Sequence, residues 1–305
     1  MKFIKFIDLP PHAEGGGFDH AAVHAGSSRL HVAHTSNDAV DVIDCAEDRF
    51  LLSIPNLRGV AGVLVSEESG MVFTSNRGED TIGMFRVGDE ENIVRVNVGV
   101  RPNGLAFDAA RGLLLAANVG DPSRPETHTV SIVDIARCEM IQSVRVEGRT
   151  RWTIFEAGSD CFFVNIADPP QIAVIERGRT MGVARTIAVP EAGPHGLDFD
   201  AGTNRLFCAC DSGRLLALDA TTGKKVAEAD LSGAPDVIFF NRSRKHLYVA
   251  AGEPGVIDVF ETDSLRRLEV LSTGAGAHTF GYDASRDKIY AFLPQSHQAA
   301  VFLDE

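Results

Sequence analysis

Residues 205–223, RLFCACDSGRLLALDATTG, and 246–263, HLYVAAGEPGVIDVFETD, decide the fold. Each holds two short runs of β-branched, aromatic and aliphatic residues around a turn of Gly, Asn, Asp or Ser type, which reads as a β-hairpin. Strings of the same kind stand at 29–44 (RLHVAHTSNDAVDVID), 71–85 (MVFTSNRGEDTIGMF) and 113–120 (LLLAANVG). Ahead of each lies a further short strand closed by a turn, as in NGLAFDAARG at 103–112, HGLDFDAGTN at 195–204 and HTFGYDASRD at 278–287.

The residue just before that leading strand gives a column: Asp19, Ala61, Asn103, Arg151, His195, Asp236 and His278, with successive spacings of 42, 42, 48, 44, 41 and 42 residues. A fixed period of about 42 residues is the mark of a repeat architecture. The long interval contains an insertion, VGDPSRPETH at 119–128. Only 27 residues follow His278 and 18 precede Asp19, together one more unit. The alternating Lys2-Phe3-Ile4-Lys5-Phe6-Ile7 is then the outer strand of the last unit, supplied from the opposite end of the chain. The expected fold is all-β: one domain over 1–305, a seven-bladed β-propeller with four antiparallel strands per blade, closed by its N-terminal strand so that no sheet edge is left at the seam.

The strand motifs Leu247-Tyr248-Val249-Ala250 and Leu206-Phe207-Cys208-Ala209, with Val40-Asp41-Val42-Ile43-Asp44 and Val256-Ile257-Asp258-Val259-Phe260, resemble the YVTN-repeat (YncE-like) propellers over essentially the whole chain. Blade four, Arg151 to Ala192, diverges most. A single Trp and no recurring Trp-Asp pair fit WD40 repeats poorly. The resemblance implies the fold and leaves function open, since related propellers include binding proteins, scaffolds and enzymes.

Composition narrows the function classes. A net charge of −13 repels nucleic-acid phosphates. No stretch reaches the length of a membrane helix and the N-terminus lacks a signal-peptide pattern, so the chain as read is expected in the cytoplasm, or in the periplasm or outside the cell if a leader has been removed. Five cysteines (45, 138, 161, 208, 210) read as reduced thiols, mostly buried small hydrophobes. The acidic runs Glu67-Glu68 and Asp89-Glu90-Glu91 read as solvated turns, and His24, His31 and His246 as surface or packing residues on the far side of the repeat.

Residues that begin the first strand and those that end the second share one face of a propeller. The column above, with His20 and Trp152 beside it, should therefore meet the loops after strand two, with His34, Asn76, Asn118, Asp211, Glu253 and His297, at one mouth of the channel. His12 and the insertion, with His128, are expected on that face too. His195, Asp236, His278 and Asp19 come from four consecutive blades and carry the nitrogen and oxygen donors that suit a divalent transition metal ion. Asn103, Arg151 and Trp152 lie across from them and suit an anionic or planar group. Three functions follow as expectations. One is a small ligand or metal ion bound at the channel mouth. Another is a metal-dependent lyase or hydrolase using the same His/Asp cluster. The last is a scaffold for a protein partner, with the insertion protruding.

Overall fold

A computed structural model describes residues 1–13 and 15–305. Seven four-stranded antiparallel sheets follow one another in chain order: 21–54, 60–97, 102–145, 150–188, 194–230, 235–272, and 280–303 together with Lys2–Asp8. The described residues form no α-helix, only three single-turn 3-10 segments. The period arises because each unit buries two faces at once. There are seven core clusters, each shared by two neighbouring blades. No blade can bury its apolar residues alone, so the ring is the folding unit.

Closure is as the ends suggested. Lys2–Asp8 runs antiparallel to Gln298–Leu303, from Lys2 opposite Leu303 to Asp8 opposite Gln298. The N-terminal ammonium reaches Glu269 at 2.8 Å, which ties the seam to blade six.

The first strands line the channel: Ala21–His24, Val60–Ser66, Pro102–Asp108, Thr150–Glu156, Pro194–Asp200, Pro235–Asn241 and Phe280–Asp283. In blades two to six the ladder to the second strand slips at the column residue. Such a bulge leaves a residue unpaired and re-aims side chains. The backbone there is held from the side by the neighbouring blade. Ala61 O accepts from His20 N at 3.1 Å, Asn103 O from Ser75 Oγ at 2.7 Å and His195 O from Asn165 Nδ2 at 2.9 Å. Blades approach so closely at this level that a Cβ on Gly104 would stand 2.6 Å from Arg151 O, which requires glycine.

One local reading changes. Asp89-Glu90-Glu91 is not a turn but opens the outer strand Asp89–Asn97, where Glu90 accepts from Arg29 at 2.6 Å. Glu67-Glu68 is the exposed turn expected, and its Glu67 carboxylate accepts the backbone N–H of both Ala25 and Gly26 in blade one. The thiols are free, and all but Cys138 are buried.

Candidate functional site

The eight residues singled out in the channel fall at two depths. Asp19, Asn103, Arg151, His195, Asp236 and His278 surround the mouth on the face of the strand starts. His20 and Trp152, one residue further along their strands, sit below it.

At the mouth the side chains pair with one another. His195 Nδ1 lies 2.7 Å from Asp211 Oδ1 and Nε2 lies 3.0 Å from Asp236 Oδ1. An imidazole with a carboxylate at each nitrogen donates from both, and so carries a charge. Burial works against that charge, yet Asp236 and Asp211 together raise the pKa to about 9. Arg151 Nη1 also stands 3.3 Å from Nε2, but the nearer Asp236 decides its protonation. Burial alone would push the Asp236 carboxyl up; the charge and hydrogen bond of His195, then His278 and His20, hold it well below the carboxylate range. Asp211 is held low in the same way, by His195 and Arg151 against burial. Arg151 Nη2 completes the chain on Asp211 at 3.1 Å. His278 donates Nδ1–H to Gly276 O at 2.8 Å and turns Nε2 toward Asp236, 3.7 Å away. Asp19 belongs to a different set. Arg77 Nη2 lies 3.5 Å from it and donates to Asn103 Oδ1 at 2.7 Å.

Among the described residues no group of three or more His, Cys, Asp or Glu side chains is arranged to hold a metal ion. Of the donors named from the sequence, His195, Asp236 and His278 come together, and Asp19 is engaged by Arg77.

Below the mouth, His20 and Trp152 close the channel. They come from blades one and four, nearly opposite in a ring of seven, yet their ring centroids are 4.2 Å apart. His20 is 6 % exposed, and burial outweighs the pull of Asp19 and Asp236 to lower its pKa, so it is neutral at pH 7. Beneath this floor lies a cavity of about 700 Å³. Its walls include the third position after six of the seven column residues, Ala22, Leu64, Ala106, Ile154, Asp198 and Phe239, and its rim includes the exposed Glu67, Glu68 and Arg242. The Asp198 carboxyl is pushed up to about 6 by burial, even though it accepts from Phe199 N and Phe240 N.

The second set of predicted residues disperses. Asn76 and Asn118 are buried and turn into their own blades, Asn76 to Thr74 and Thr81 and Asn118 to Thr129 and Ser131. His34 is buried on Asp41 at 2.7 Å and joins His12 and His297 in a cluster at the seam between blades seven and one. The insertion emerges beside Arg101, with Val119 N donating to Arg101 O, and its Pro125 lines a surface recess together with Glu147 and Pro169. Arg77 and the whole apolar cavity were not among the residues singled out. Arg77 and Asp211 each stand one residue past the second strand, so a register set on strand ends pairs them.

No family model matches the chain. An uncharacterized protein of Staphylococcus saprophyticus is 29% identical over 96 residues, 28% of this chain, and the match spans 28% of that relative's length. Among solved structures, a chain of Kuenenia stuttgartiensis hydrazine synthase superposes with a TM-score of 0.83 at 12% identity, covering 97% of this chain and 96% of that one. A chain of a mitotic checkpoint complex gives 0.82 at 10% identity, covering 99% and 92%. At such identities the likeness establishes the fold alone: the chain is a seven-bladed β-propeller.

Proposed function

We propose that this protein binds a small, largely apolar molecule carrying an aromatic ring in the cavity beneath His20 and Trp152. One observation carries this reading: the cavity of about 700 Å³ is closed at its inner end by two rings and walled mainly by apolar residues. Concave apolar sites of that size with a few convergent polar groups are where small ligands bind. Trp152 offers a stacking face, and the neutral His20 and the wall carboxyl of Asp198 offer hydrogen bonds to a ligand.

Trp152 is the only tryptophan, so its emission reports on the site without a label. Titration with 1-anilinonaphthalene-8-sulfonate should give saturable energy transfer from Trp152 with one dye per chain. Ala22→Phe, which fills the wall beside His20, should weaken it at least tenfold with an unchanged melting temperature. Non-saturable transfer, or equal affinity in the variant, would sink the proposal.

A divalent ion on His195, His278, Asp236 and Asp19 is a second reading, favoured by the inward Nε2 of His278. It requires His195 to give up the Nε2 proton that faces Asp236. The lyase or hydrolase reading depends on the same ion. Elemental analysis decides it: a stoichiometric metal lost in His278→Ala supports the ion, and a metal-free protein removes it.

A further inference from the structure

We propose that the upper mouth carries a separate oxyanion site on the arc of blades two to four, formed by Arg77, Arg101, Arg149 and Arg151. In a chain of net charge −13, these four arginines gather at one mouth. Arg101 and Arg149 occupy the same repeat position, two residues before Asn103 and Arg151 in neighbouring blades, and their backbones are pinned. Arg101 N donates to Asp80 Oδ1 at 2.7 Å, and Arg149 O accepts from Ala167 N at 2.9 Å.

The charge is only partly answered. Arg77 meets Asp19 and Arg151 meets Asp211, while Arg101 and Arg149 make no ion pair among the described residues. Besides that surplus, the Nε atoms of both Arg77 and Arg151 are buried without a hydrogen-bond partner. A buried donor left unmade is costly, and an acceptor oxygen placed between these guanidinium groups relieves it. Burial, then repulsion from Arg151, Arg101 and Arg77, holds the Arg149 pKa below its ordinary value against the pull of Asp211, which fits cations assembled with too little counter-charge. Guanidinium forks match the paired oxygens of phosphate and carboxylate, so the ligand class is a small phosphorylated or carboxylated molecule.

The test is calorimetric titration of the whole protein with inorganic phosphate and, separately, with succinate at matched ionic strength. Saturable millimolar or tighter binding is expected for at least one. The preferred probe tells a phosphorylated ligand from a carboxylated one. Arg101→Gln with Arg149→Gln, both exposed positions, should weaken binding fivefold or more while the melting temperature and far-UV circular dichroism stay unchanged, which certifies the fold. No saturable binding of either anion, or a loss smaller than fivefold in the double variant, overturns the proposal.

Discussion

The two ends of the channel are made from the same seven strands, and side chains three positions apart along one strand face different worlds. At the mouth, the column residues His195, Asp236 and Arg151 find partners in Asp211 and in each other. Three residues on, Ala22, Leu64, Ala106, Ile154 and Phe239 are apolar, the carboxylate of Asp198 is taken by backbone N–H groups, and a cavity is left. A ring of equivalent positions thus closes when its members can pair and stays open when they are small or apolar. The imidazoles make the contrast sharpest. His195 is held charged by two carboxylates, whereas His20, one repeat position along and 3.4 Å from Asp19, is held neutral by burial.

The separation of the two ends can be broken in three ways. The harshest is removal of residues 1–8. Losing the outer strand of blade seven strips its ladder and packing, and the ring should lose more than about 5 kcal/mol in urea unfolding. Because Asp19 and His20 sit beside the seam, both the mouth and the cavity should fail together. Retained dye binding in the truncated protein would show that the cavity does not need a closed ring.

Asp236→Asn is more selective. It leaves His195 beside one carboxylate, and breaking a paired charge in this setting should cost about 3 kcal/mol. Dye affinity in the cavity should change less than twofold. A parallel loss of both would mean that the floor of His20 and Trp152 does not isolate the two ends.

The smallest effect is in pH. A His195 pKa raised from 6.5 to about 9 makes its stabilisation complete below pH 6.5 and lost as pH climbs through 9, an amplitude on the order of 2–3 kcal/mol. His20 is lowered, so its contribution is present above pH 6.5 and fades as pH falls below it. Melting temperature should therefore decline on both sides of neutrality. His195→Gln should flatten the alkaline limb and, because it frees Asp236 and Asp211, the loss below about pH 4, whereas His20→Gln should flatten only the limb between about pH 4 and 6.5; a His195 variant that also flattens that middle limb would merge the two sites.

The period, the seam and the column were legible in the sequence because each depends on backbone registration, which repeats. Three things were not. The loops after strand two were aligned one residue early in blades one to three. His34, Asn76 and Asn118 end their strands and point into the blade, while Arg77 and Asp211, one step later, point to the mouth. A one-residue slip reverses the face of a side chain. His20 and Trp152 were placed on the mouth because a regular strand gives no warning of a bulge, and in blade four the bulge falls at Arg151 and Trp152. The cavity was invisible because it is made of absences, small side chains at Ala22 and Ala106 whose effect exists only across the ring.

The pairing of Lys2–Asp8 with Gln298–Leu303 also bears on how the molecule is made. Asp8 and its partner Gln298 are 290 positions apart, so the first strand of the ring in chain order waits for the last. At the usual pace of a ribosome that wait is roughly 15–60 s, during which Phe3 and Phe6 lie on an unpaired strand beside a growing stack of blades. Ring closure in this protein thus waits until all seven blades have been made, and the nascent chain is open to capture by chaperones until then.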